Sequence, residues 1–401
     1  MKSRWIIGLV LLLGLIAAGR LFNALRKPEA LYQGQPVSAW INQLNSTNYF
    51  AREQAARALS CLGPRAVAPL IDALKPKHSR LKQIIWPVLQ NYSWFVRDLS
   101  ANFRLQTKAG KVLAEIGPPA APALVELFQE EEFSVRASAS DILRSIGPGV
   151  LPLLIDRLAD PKERVRAGVS QTIAKFGQQA KAAVPALSKA LRDPETAVRA
   201  QAAFALAQIG PEARAAVADL TLLLRDRTSG LRDNAIKALG EIGPDARPAV
   251  PALTNLLSDP DETIRAASAE ALGKIGGEPG AAVPALRWAL KDGEKNVVRE
   301  AAGALGKIDP HAADAISALI DCLKDRELVF RCRSAQALGE IGPAARNAIP
   351  GLMRLLTNAP PHDDRYAFQA LKKIDPDLAD KFIKQVGERR RTSYRAATAG
   401  D

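Results

Sequence analysis

Residues 182–211 read AAVPALSKALRDPETAVRAQAAFALAQIGP. Val184, Leu187 and Leu191 stand at i, i+3 and i+7, the spacing of one apolar helical face. Pro185 lies in the first turn of that helix, where a missing N–H costs little. Asp193-Pro194 ends it, because the residue before a proline is pushed out of the α region. Val198, Ala202, Ala205, Leu206 and Ile209 then form a second stripe, and Gly210-Pro211 stops the second helix. The stretch is a helical hairpin. With one apolar face on each helix and only alanines between them, it needs neighbours to bury what it exposes.

The chain supplies those neighbours. The glycine that closes each hairpin recurs at Gly63, Gly117, Gly147, Gly177, Gly210, Gly243, Gly276 and Gly342, with Asp309 and Asp375 in the same register. From Gly177 onward the interval is 33 residues; the two before it are 30, and only the step from Gly63 to Gly117, at 54, breaks the count. A fixed period of this length marks a repeat array. The expected fold is all-α, an α-solenoid of about ten helical hairpins over residues 36–375, preceded by a linker at 28–35. A closing amphipathic helix is expected at 376–388 and a disordered basic tail at 389–401. Trp40 is placed to cover the open end of the first hairpin.

The recurring order Val-Pro-x-Leu, Asp-Pro, Val-Arg-x-x-Ala-Ala-x-Ala-Leu-Gly-x-Ile-Gly-Pro resembles the short HEAT repeats of bacterial proteins, of the subtype named for phycobilisome lyases. The resemblance implies a HEAT or armadillo-like superhelix and leaves function open. It also draws attention to an arginine seven residues before the core Leu or Ile of the second helix: Arg52, Arg136, Arg166, Arg199, Arg232, Arg265 and Arg331. Asp160, Asp193, Asp226, Asp259 and Asp325 lie six residues upstream of theirs and are candidate partners. The row reads as a structural ion-pair ladder between repeats, with an anion-binding row as the alternative. Gln106, Val298 and Asp364 fill the slot in the remaining units, and Arg299 and Arg365 sit one position late, so the ladder is expected to break there.

Composition fits this frame. Of 401 residues 47% are hydrophobic but only 5% aromatic, so alanine and leucine carry the core. The net charge is +13, yet residues 131–375 carry 33 basic against 31 acidic side chains. A basic stripe along the body, which nucleic-acid binding favours, is absent from the sequence.

Residues 1–27 read as a membrane anchor or signal sequence. Lys2 and Arg4 precede an uncharged run from Trp5 to Gly19, and Leu21, Phe22, Ala24 and Leu25 extend it toward a spanning length. The favoured reading is a single-pass anchor with the body on the non-cytoplasmic, periplasmic side; secretion after signal cleavage is the alternative.

The break between Gly63 and Gly117 contains an insertion at about 75–104. Eight Lys/Arg against one Asp fall between Lys75 and Lys111, with Trp86, Tyr92, Trp94, Phe95 and Phe103. Three readings stand: aromatics packed onto the repeats, a partner-binding hook, or contact with anionic lipid headgroups. The candidate partner-binding residues are Trp86, Tyr92, Trp94, Phe95 and Arg97.

No His-Glu-x-x-His, paired Cys-x-x-Cys, Gly-x-Ser-x-Gly or phosphate-binding loop occurs in the sequence. Its three histidines are scattered, and Cys61, Cys322 and Cys332 cannot form a disulfide framework. No catalytic residue, metal, cofactor or small-molecule substrate is expected. The sequence therefore points to a non-enzymatic, membrane-tethered scaffold binding protein partners through its superhelical surface. A bilin-lyase-like enzyme or accessory is the first alternative, and a nucleic-acid-binding HEAT protein the second.

Overall fold

The computed structural model describes residues 29–75, 93–226, 228–276, 279–308, 313–358 and 364–382. They fall in two compact units, Met1–Gly147 and Pro148–Asp401. Both are built from helical hairpins, and the fold is an all-α solenoid.

The first unit opens on two short antiparallel strands, β1 (Leu31–Tyr32) and β2 (Gln35–Pro36), where a linker was expected. Gln33 and Gly34 both have positive φ, 50° and 75°, the geometry of a tight hairpin turn. The ribbon lies against the first helix: Trp40, only 2% exposed, donates its indole N–H to the Tyr32 carbonyl at 3.2 Å. The expected end cover is thus Trp40 plus this ribbon. Three hairpins follow, α1 (Val37–Leu44) with α2 (Tyr49–Leu62), α3 (Pro64–Leu74) with α4 (Ser93–Ile116), and α5 (Ala121–Glu126) with α6 (Phe133–Ile146). The helix α4 starts at Ser93, well before the expected start at Arg104. No proline or glycine interrupts Ser93–Phe103, so a helix that has nucleated propagates through it at little cost.

Seven hairpins make up the second unit. Their first helices are α7 (Leu151–Arg157), α9 (Val184–Ala190), α11 (Val217–Leu223), α13 (Val250–Leu256), α15 (Pro279–Ala289), α17 (Ala313–Cys322) and α19 (Ile349–Asn358). The second helices are α8 (Glu163–Ala174), α10 (Thr196–Ile209), α12 (Ser229–Ile242), α14 (Glu262–Ile275), α16 (Lys295–Ile308), α18 (Leu328–Ile341) and α20 (Asp364–Ile374). Each second helix packs against the next, so they form one layer and the first helices another. Between the layers run two leucine columns with the period of the sequence. Leu187, Leu220, Leu253, Leu286, Leu319 and Leu352 are fully buried from one side, Leu206, Leu239, Leu272, Leu305 and Leu338 from the other. Each such side chain contributes about 2 kcal/mol of apolar burial.

The closing glycines turn the chain from one hairpin to the next. Gly210 (φ 71°) and Gly243 (φ 74°) adopt backbone that a β-carbon would strain, and each leads into a short 3-10 turn. Asp375 holds the same place without glycine. Its carboxylate accepts the Leu378 N–H at 3.1 Å and opens a closing helix, α21, described over 376–382, with Ala379 fully buried.

No helix among the described residues is long and apolar enough to cross a membrane. The expected anchor at 1–27 and tail at 389–401 lie outside the described residues.

Candidate functional site

The repeated arginine shows how each second helix is fixed. In Arg166, Nη1 donates to the backbone oxygens of Asp160 and Pro161 at 2.9 and 3.1 Å, closing the loop before its own helix. Its Nε and Nη2 reach the Asp193 carboxylate of the next repeat at 2.7 and 2.8 Å. Arg265 does the same, with Asp259 and Pro260 carbonyls at 2.9 and 3.2 Å and Asp292 at 2.7 and 3.0 Å. Arg199 reaches Asp226 at 3.4 Å, and Arg232 pairs with Asp259. Arg331 binds the carbonyls of Asp325 and Arg326. In the first unit Arg52 holds those of Ser46 and Thr47, and Arg136 those of Glu130 and Glu131.

The aspartate six residues upstream therefore gives its arginine a backbone oxygen; from Asp193 onward its carboxylate serves the preceding repeat, whereas Asp160 pairs with Arg157 of its own. The reason is local: Asp193 Oδ1 accepts the Glu195 N–H at 2.9 Å, and Asp292 Oδ1 the Glu294 N–H at 2.9 Å. These side-chain turns aim the carboxylates out of their own loops. In the first unit Gln106 takes the slot with one bond, Nε2 to the Leu74 carbonyl at 3.0 Å.

The ladder makes stability acid-sensitive. The Arg265 hydrogen bond holds the Asp292 carboxyl below its usual range. At Asp193 burial pushes the other way, but bonds from Arg166 and the Glu195 N–H outweigh it and the carboxyl is again lowered. A depressed carboxylate contributes stability that is present above its unfolded value, about pH 3.9, and is lost as pH falls through the folded one. Melting temperature is expected to drop steeply below about pH 4, and Asp292→Asn to flatten that drop. Circular-dichroism melts from pH 6 to 2.5 check it.

In the second unit the ladder first breaks at α16. Val298 occupies the arginine slot of α16, and Lys295 Nζ takes the next repeat's Asp325 at 2.6 Å. Arg299 is 8% exposed, and its displaced guanidinium turns to Glu300 Oε1 at 2.8 Å and to Asn296 Oδ1. Its carbon lies 5.7 Å over the Phe330 ring, and its Nε has no partner. Beside it opens a cavity of about 210 Å³ between α14, α16 and α18. Glu270, Lys274, Glu300, Lys307, Arg333 and Glu340 put charge on its walls.

The cavity has a simple cause. Phe204, Lys237, Glu270 and Gln336 form an exposed row along the second-helix layer at the repeat period, and Gly303 stands in that row with no side chain. A β-carbon there would meet only Ala337 Cβ, at 3.8 Å. Burial, aided by repulsion from Glu270, raises the Glu300 carboxyl above its usual range even though Arg299 is adjacent. Lys274 behaves differently: burial disfavours its charge, but the bonds it donates to Glu241 and Glu270 prevail and raise it.

Of the candidate partner-binding residues, Trp86 and Tyr92 lie outside the described residues. Trp94, Phe95 and Arg97 fall in the first turns of α4. The structure thus puts three of the five on one helix. The sequence did flag Val298 and Arg299 as a break, but not Gly303, Glu300 or Arg333. The available signal was a glycine in a column otherwise filled by large side chains. Among the described residues no group of three or more His, Cys, Asp or Glu is placed to hold a metal ion.

Solved structures of similar fold include the karyopherin Kap121p bound to the extreme C-terminus of the protein phosphatase Cdc14p. It has 15% identity and a TM-score of 0.54, and the match covers 89% of this chain and 48% of that one. Kap95p in its complex with RanGDP gives 13% and 0.50, covering 88% and 53%. The CpcE–CpcF phycocyanin lyase of a Nostoc species gives 24% and 0.39, covering 59% and 94%. The chain spans about half the length of the two karyopherins, and at these identities the likeness concerns the fold alone. No curated protein sequence matches the chain. The sequence model for HEAT repeats matches residues 151–233, 217–302, 250–327 and 283–372, together more than half of the 401 residues. The chain belongs to the HEAT-repeat family.

Proposed function

We propose that this chain is a non-enzymatic scaffold that docks protein partners on the second-helix face of its repeats and is tethered to a membrane through residues 1–27. The observation that carries the reading is the second-helix layer of the second unit. It is a repeated, rigidly packed surface whose outward row changes from Phe204 to Lys237, Glu270 and Gln336 while the core columns beneath it stay leucine. Such a surface varies recognition without disturbing packing. The family supports it, as do the karyopherins, whose own structures hold protein partners.

The tether rests on the apolar run Trp5–Gly19 behind Lys2 and Arg4. An outside body follows in this reading from the shortness of the leading segment, which stays on the cytoplasmic side, although Arg20, Arg26 and Lys27 pull the other way. The basic, aromatic segment at about 75–104 joins the partner surface through Trp86, Tyr92, Trp94, Phe95 and Arg97 in this reading.

Fractionation with alkaline carbonate washing, protease protection and affinity capture from membranes test it together. The expected result is a protein retained in washed membranes and digested by protease added to spheroplasts with an intact inner membrane. It captures a defined partner that Trp86→Ala/Trp94→Ala/Arg97→Ala weakens. A soluble, cytosolic protein contradicts the tether. Capture unchanged by the triple variant reduces the insertion to packing.

A further inference from the structure

We infer that the cavity at Gly303 is a receptor for a single carboxylate side chain of a protein partner, held by Arg333 at its mouth and Arg299 at its base. The inference rests on the protein-docking reading above and names what that surface recognises.

Unused hydrogen-bond donors give the sign of the ligand. Around the cavity Lys274 is paired with Glu270 and Glu241, and Lys307 with Glu340. Glu340 also accepts from Gln336. Arg299 satisfies Glu300 but keeps a buried Nε without a partner. Arg333 is exposed; its charge acts on Glu270 and Glu300, but no hydrogen bond or ion pair holds it among the described residues. Every acid on the wall is thus engaged, or faces a cation, while two guanidinium groups retain donors. A guanidinium matches a carboxylate in a two-bond fork. A cationic ligand would meet these same arginines and be repelled.

Size gives the ligand's nature. About 210 Å³ is below the range of roughly 300–1,000 Å³ usual for small-molecule sites. It accommodates one side chain and opens on the row of exposed positions along which a bound segment would lie. Burial and Glu270 raise the Glu300 carboxyl, while Arg299 and Arg333 pull it the other way.

The cavity also has a clean closing variant. Gly303→Gln installs the residue found one repeat on at Gln336, in space that only Ala337 Cβ borders, and replaces a mid-helix glycine.

The test is fluorescence anisotropy of the full chain with a labelled peptide of alternating glutamate and glycine, against its glutamine counterpart. The expected result is saturable binding of the glutamate peptide alone. Gly303→Gln and Arg333→Gln should each weaken it at least about tenfold, the scale of one charge-assisted bond. Melting temperature should be unchanged or higher in Gly303→Gln. Lys189→Gln removes the same charge from an exposed position on a first helix, off the docking layer, and should leave binding unchanged. No binding by the wild-type chain, or equal binding by the closed and open cavities, overturns the inference, as does an equal loss in Lys189→Gln. A natural partner that crosslinks from Gln336 although the peptide does not bind would sink the carboxylate receptor and keep the docking face. Peptide binding without any such partner would do the reverse.

Discussion

Arg265→Ala is expected to lower the melting temperature by about 6–12 °C. The side chains of Arg265 and Asp292 are 16% and 6% exposed and joined by two bonds, at 2.7 and 3.0 Å. Removing the arginine strands a buried carboxylate and leaves the Asp259 and Pro260 carbonyls without their donor. Loss of one partner of a buried pair costs about 3 kcal/mol or more, and each kcal/mol moves a unit of this size by roughly 2–4 °C. Arg265→Lys should recover little of it, because one ammonium cannot serve a loop and a carboxylate in a planar fork. Thermal melts of the three proteins decide it. A shift under about 2 °C would mean that the pair behaves as a surface ion pair and does not hold the repeats in register.

Gly273→Leu is expected to cost about 3 kcal/mol, whereas Gly303→Gln on the next second helix should cost nothing. A β-carbon at Gly273 would stand 2.8 Å from Ala304 Cα and 3.0 Å from its Cβ. That neighbour is backbone, so relief requires moving the whole of α16. Gly339 faces Ala370 in the same way, also at 2.8 Å to Cα, and the alanine-rich layer is therefore packed to near contact of its backbones. At Gly303 the same added atom meets only a methyl at 3.8 Å, and the glycine's own helix penalty of about 0.5–1 kcal/mol disappears. Opposite signs in urea midpoints of the two variants support the geometry. Equal destabilisation would show that α14, α16 and α18 do not sit as described.

Most of the architecture was legible because it is written at fixed intervals. The 33-residue step places a closing glycine, a core leucine and a loop-facing arginine in most repeats, and these determine a hairpin and its neighbour. The ribbon before Trp40 was not legible, since strands of two residues carry no usable alternation. Nor was the early start of α4, because repeat register resumes only near Arg104 and the preceding residues have no helix-stop signal. The aspartate partner was assigned one repeat too near: sequence distance favours Asp259 for Arg265, while the side-chain turn at Asp292 presents the carboxylate that closes the pair.

The cavity lay further from view. Its defining residue, Gly303, matters through an absent side chain, and that absence has meaning only once Glu270 and Gln336 are known to flank it across two helix interfaces. Arg299 was visible as an arginine one position late. That this shift buries a guanidinium with an open donor depends on tertiary packing.

The central claim is that partners dock on the second-helix layer. Photo-crosslinking in cells, with benzoylphenylalanine placed in turn at Phe204, Lys237 and Gln336 and at Leu222, Trp288 and Asp321, tests it most directly. The first three are exposed on second helices and the last three on first helices. The account predicts one partner band from the second-helix positions, strongest at Gln336, and none from the first-helix positions. Crosslinks confined to Leu222, Trp288 and Asp321 would contradict it.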